Sequence, residues 1–144
     1  MLKALGSGLV GACALTLIHE TARRLAPESA PRMDVLGMRA IAKTMRAVDA
    51  EPPVPLHEAA LVGDLVSNSF YYSLVGAGSR EDALRNGALL GLAAGLGAVF
   101  LPKRLGLGRQ PTEAPATQAM TVAWYVAGGL AAAAAYRALA PHDD

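Results

Sequence analysis

A single cysteine, Cys13, rules out any disulfide within the chain. It sits beside Gly11 and Ala12 in an apolar run, where a small packing residue is the expected role. Aromatic residues are scarce, with two Phe and one Trp among 144 residues, so no bulky aromatic core is expected. Charged residues make up only 17%, against about a quarter in an average soluble domain. The net charge of +1 lacks the basic excess of a general nucleic-acid binder, so no nucleic-acid partner is expected. Gly-x-Ser-x-Gly, a Walker-type loop and Cys-x-x-Cys are all missing. Gly6-Ser7-Gly8 and Gly95-Leu96-Gly97 lie in apolar segments and match no phosphate cradle. Nothing here names a reaction or a cofactor, and an enzyme is not the expected reading.

What remains is apolar and small. Residues of apolar type reach 53% and the mean hydropathy is +0.31. Gly and Ala supply much of that content, which suits helices that approach closely in lipid. The length fits one domain, residues 1–144. The expected fold is an all-α membrane protein, four transmembrane helices in an antiparallel bundle plus one amphipathic surface helix.

The first span is expected at about residues 4–24, closed by Arg23 and Arg24, because ~20 apolar residues cross a bilayer. A cleaved signal peptide is the rival, but the small-residue site Ala12-Cys13-Ala14 falls inside the apolar run rather than after it. Ser7/Gly11 and Gly8/Ala12 are small-xxx-small pairs that admit a close neighbour. Residues 35–48 place Val35, Met38, Ile41, Ala42, Met45 and Val48 on one face, with Arg39, Lys43 and Arg46 adjoining. This amphipathic helix, with Asp34 as its N-cap, suits either anionic headgroups or the cytoplasmic ends of the other helices. Glu51-Pro52-Pro53-Val54-Pro55 stops it.

The second and third spans are expected at 57–78 and 83–101, with Pro102, Lys103 and Arg104 ending the third. Gly87, Gly91 and Gly95 recur at four-residue intervals, so this helix packs closely on a neighbour within the chain or in another copy. The fourth span, 118–139, carries Trp124 and Tyr125 as interfacial anchors near its start, matched by Tyr136 and Arg137. Residues 105–117 form a polar connection, and Pro141–Asp144 a frayed tail.

Basic residues set the orientation. Arg23, Arg24, Arg32, Arg39, Lys43 and Arg46 fall in the first connection and Lys103, Arg104 and Arg109 in the third. Lys3, Arg80, Arg85 and Arg137 lie on the other side. The expectation is a bacterial inner-membrane protein with both termini away from the cytoplasm.

The unusual chemistry gathers in His57–Tyr72. Asp64 and Asn68 share a helical face, extended by Tyr71 or Tyr72. An aspartate in mid-span costs ~2.5–3.5 kcal/mol, so it should face the bundle. Depth matching brings His19, Glu20, Arg23, His57, Glu58, Asp64 and Asn68 toward one level of the first two spans. His-Glu-x-Ala occurs in both, at His19–Ala22 and His57–Ala60.

Three readings compete for this cluster. Asp64 and Asn68 cross-link the first two spans while Glu20 pairs with Arg24. Alternatively His19, His57 and Asp64, with neighbouring carboxylates, bind a metal; here each Glu directly follows its His, which points the two about 100° apart. The third is a proton or solute path in which Asp64 changes protonation. His19-Glu20-x-x-Arg23 is not the His-Glu-x-x-His of a zinc protease. The leading functional expectation is a helix-packing or interaction subunit, partnered by the lipid bilayer and by a homo-oligomer or larger membrane complex. The alternative is a metal-, proton- or solute-handling membrane protein centred on the His/Glu/Asp cluster.

Overall fold

Close-packed small residues decide which helices touch. A computed structural model describes residues 1–52, 54–108 and 114–140. These contain five α-helices and no strand: α1 (Leu2–Leu25), α2 (Met33–Ala47), α3 (Leu56–Ser73), α4 (Ala83–Arg104) and α5 (Pro115–Leu139). The middle of the third connection, including Arg109, and the tail from Pro141 lie outside the described residues.

Three helices, α1, α4 and α5, are long and apolar enough to cross a membrane. α3 falls short by composition, because His57, Glu58 and Asp64 lie within its 18 residues. It continues, however, into a single 3-10 turn over Leu74–Gly76, where the expected helix of 57–78 tightens and ends. Gly76 is where the Tyr136 ring of α5 presses in, 2.7 Å from where a Cβ would stand.

Leu15, Tyr72 and Val75 anchor a buried core, but much apolar surface stays outside it. Ser7, Asn68, Thr117 and Thr121 are buried, whereas Leu17, Val62, Phe70, Leu89 and Phe100 are all more than half exposed. A soluble monomer seldom shows so much apolar surface, while a chain solvated by lipid has no reason to hide it.

α5 lies between α1 and α4. Gly11 of α1 meets Gly128 and Ala132 of α5; Gly87, Gly91 and Gly95 of α4 meet Gly129, Val126 and Val122 in turn. The numbering rises on one helix as it falls on the other. α1 also packs on α3, with Gly8 against the backbone of Ser69 and Ser73. Repeated small residues permit these approaches because any Cβ there would meet backbone atoms. At Gly91 a Cβ would stand 2.5 Å from the Val126 Cα. The α4 glycine face is thus occupied by α5 of the same chain and is not free for another copy.

Consecutive helices α3 and α4 behave differently. They meet chiefly around the 3-10 turn and through the Tyr71 hydroxyl, which donates to the Leu90 carbonyl at 3.0 Å. Below that bond they separate, and α2 crosses the gap on the side of α3, with Gly37 against Ala60.

Pro102 does not end α4, which runs on to Arg104. So near the terminus proline forfeits a single bond, the one its missing N–H would give to Ala98. The stop comes at Gly106, in the left-handed region at φ +67°. Its N–H donates to Lys103 and that of Leu107 to Pro102, the paired pattern of a Schellman terminus.

Candidate functional site

Seven of the flagged polar residues, His19, Glu20, Arg23, Asp64, Asn68, Tyr71 and Tyr72, lie where α1, α2 and α3 come together or on the following turns of α3. A cavity of about 50 Å³ is lined by Thr16, His19, Glu20 and Arg23 of α1, Asp34 of α2 and Asp64 of α3. His19, Glu20, Arg23 and Asp64 therefore converge, as their depths predict. Asn68 and Tyr72 stand one and two turns further along α3. His57 does not line this cavity and Glu58 is exposed, so the repeated His-Glu does not form one cluster. Among the described residues no three His, Cys, Asp or Glu side chains lie close enough to hold a metal ion. His19, His57 and Asp64 do not make a ligand set.

The cross-links also differ from expectation. Asn68 Nδ2 donates to Asp64 Oδ1 at 2.8 Å, so the two satisfy each other within α3 rather than bridging to α1. Residues four apart on one helix face are already within reach, and that local bond wins. Glu20 pairs with Arg23 at 2.6 Å, not with Arg24, which is exposed. The bridges between helices come from tyrosines instead. The buried Tyr72 hydroxyl donates to the Tyr125 carbonyl at 2.7 Å, tying α3 to α5. Tyr125 is only 7% exposed, so it is a core residue. Both it and Trp124 pack on the His19 ring, at centroid distances of 5.9 and 5.3 Å.

Three buried polar atoms around the cavity have no hydrogen-bond partner among the described residues: Thr16 Oγ1, His19 Nε2 and Arg23 Nε. Buried polar groups are nearly always satisfied, so three such atoms on one small polar cavity mark a place suited to water. Thr16 was not singled out in the sequence, since a threonine in an apolar helix carries no signal of its own. Asp34 is not the N-cap of α2, because the helix begins at Met33 and Asp34 lies in its first turn. Its carboxylate instead accepts from Arg32 Nε and a terminal guanidinium nitrogen, both at 3.0 Å. Burial pushes this carboxyl up, but the Arg32 bonds and charge outweigh it and hold the group below its ordinary value.

Asp64 also borders a second space. Between α2, α3 and α4 runs a groove of about 610 Å³, with Asp64, Ser67 and Tyr71 on one wall and Ala94, Gly97 and Ala98 of α4 on the other. Tyr125 and Met33 also line it. Asp64 thus separates a small polar cavity from a large, mostly apolar groove. Among the described residues no basic side chain forms an ion pair with it. One end of the groove is closed by the Tyr71–Leu90 bond. At the other, Lys43 Nζ donates to the Leu105 carbonyl at 2.5 Å and an Arg39 terminal nitrogen to that of Leu107 at 3.2 Å. The basic face of α2 therefore reaches the carbonyls that follow α4, where cations are favoured.

No protein family, no curated protein and no solved structure matches the chain.

Proposed function

We propose that this chain is a small polytopic membrane protein that holds a solute in the lateral groove between α3 and α4. In this reading α3 is the fourth span. Its 18 residues and the three of the 3-10 turn rise together by roughly 33 Å, enough for a hydrocarbon core of about 30 Å. The four long helices form an antiparallel bundle, and α2 is the amphipathic helix at its cytoplasmic end. The basic residues of the first connection support a bacterial inner-membrane location with both termini on the far side.

One observation carries the reading: Asp64 lies on an apolar groove with no basic partner among the described residues. An intramembrane carboxyl is retained where it has work to do or a partner to meet. A groove of about 610 Å³ falls in the usual range of small-molecule sites, ~300–1,000 Å³. Native mass spectrometry of the chain released directly from membranes tests this. A small adduct is expected, and Gly97→Phe should abolish it by filling the groove. At Gly97 a Cβ would meet only Leu101 Cδ1, at 3.4 Å, so the backbone tolerates the change. An adduct-free chain would remove the reading.

An interaction subunit of a larger complex is the second reading. Val62, Val66 and Phe70, exposed along one side of α3, would form its contact face. Cross-linking from Val66→Cys to another polypeptide in native membranes would support that role.

A further inference from the structure

We infer that the groove between α3 and α4 takes a lipophilic cation, its positive centre against Asp64 and its apolar body along the small-residue wall of α4. This rests on the groove being a solute site, as proposed above.

Length excludes a spanning helix as the occupant. The α4 wall runs from Ala93 to Pro102, a rise of roughly 14 Å. A partner helix would need about 30 Å of continuous groove. The Tyr71–Leu90 bond blocks one end and the Arg39 and Lys43 contacts with the 105–107 turn block the other. What fits is shorter than a membrane span and enters from the side.

Charge then selects the class. Asn68 occupies one Asp64 oxygen and no basic side chain among the described residues pairs with the carboxylate. Arg23, on the far side of the polar cavity, is bound to Glu20. The lysine and arginine nearest the groove, Lys43 and Arg39, are engaged at backbone carbonyls. A carboxylate in an apolar groove favours a cation and repels an anion. Tyr71 and Tyr125 on the same lining add aromatic side chains, a residue type that tolerates a positive centre. The rest of the wall, Ala94, Gly97, Ala98 and Leu101, offers only apolar contact, so the remainder of the molecule must be hydrophobic.

The test uses the full chain purified in detergent and two ions of matched shape and opposite charge, tetraphenylphosphonium and tetraphenylborate, in equilibrium dialysis. Saturable binding of the phosphonium alone is expected. Asp64→Asn should weaken it by about tenfold or more, Asp64→Glu should retain it, and Gly97→Phe should abolish it. Equal binding of both ions, or undiminished binding by folded Asp64→Asn, overturns the cation inference while leaving the groove as a solute site. Should Asp64→Asn not fold, the two ions and Gly97→Phe on the otherwise unaltered carboxylate decide alone. If neither ion binds but the native adduct is present and lost in Gly97→Phe, the cation inference falls and the groove stands. If neither ion binds and no adduct exists, both readings fall.

Discussion

Gly87 and Gly129 face each other across the α4–α5 contact so closely that a Cβ on either would meet the carbonyl oxygen of the other. The relationship is reciprocal, so neither side can relax away from a substitution without separating the helices. Gly129→Val should therefore lower the unfolding stability by about 3 kcal/mol or more, the upper range of overpacking. Gly63→Ala provides the control, because nothing lies within 4 Å of the Cβ it would add. It should be neutral or stabilise by about 0.5–1 kcal/mol. Thermal unfolding in detergent, followed by the emission of Trp124, measures both.

Tyr72→Phe removes the hydroxyl that reaches from α3 to the Tyr125 carbonyl and leaves that acceptor buried. A loss of about 0.5–1.5 kcal/mol is expected, because the carbonyl keeps its helical N–H partner within α5. Tyr71→Phe should cost less, because Tyr71 is only half-buried, yet it loosens one end of the groove. Hydrogen exchange at the 3-10 turn distinguishes the two, rising more in Tyr71→Phe than its stability alone predicts.

Replacing Arg39 and Lys43 together by Gln should free α2 from the 105–107 turn without unfolding the four long helices. Amide exchange in α2 should accelerate while α1 and α5 remain protected. Unchanged protection in α2 would show that its apolar contact with α3 suffices to hold it.

Asp34 makes stability depend on pH in a definite direction. Its carboxyl lies below its ordinary value in the folded chain, so its contribution is present above the unfolded value. It is lost as pH falls through the folded value. Asp34→Asn should thus be less stable than the parent at neutral pH, and the difference should shrink in acid. Paired unfolding curves at pH 7 and pH 3 read this out.

Much of the helical frame can be read from the residues alone. The four-residue spacing of Gly87, Gly91 and Gly95 points to a tight helix contact, because only such packing offsets the helix propensity lost. Its counterpart, Gly128 and Gly129, is harder to see: the two are adjacent and look like a weak point in an Ala-rich helix. They instead serve opposite sides, Gly128 toward α1 and Gly129 toward α4. Asp64 and His19 could be brought to one depth by counting residues. That Asp64 would bond Asn68, leaving Tyr72 to join α3 to α5, could not, because periodicity gives a face and not a choice of partner. The burial of Tyr125 is a related case, because an aromatic near a helix start does not reveal that it packs on the His19 ring.

The doubled glycine of α5 has a consequence for how the chain comes together. Adjacent residues of α5 hold α1 on one side and α4 on the other, and α5 is made after both. α1 is therefore complete about a hundred residues before Gly128 is made, with α3 as its chief packed neighbour until then. A nascent chain arrested before Gly128 would leave α1 and α4 without the helix that joins them.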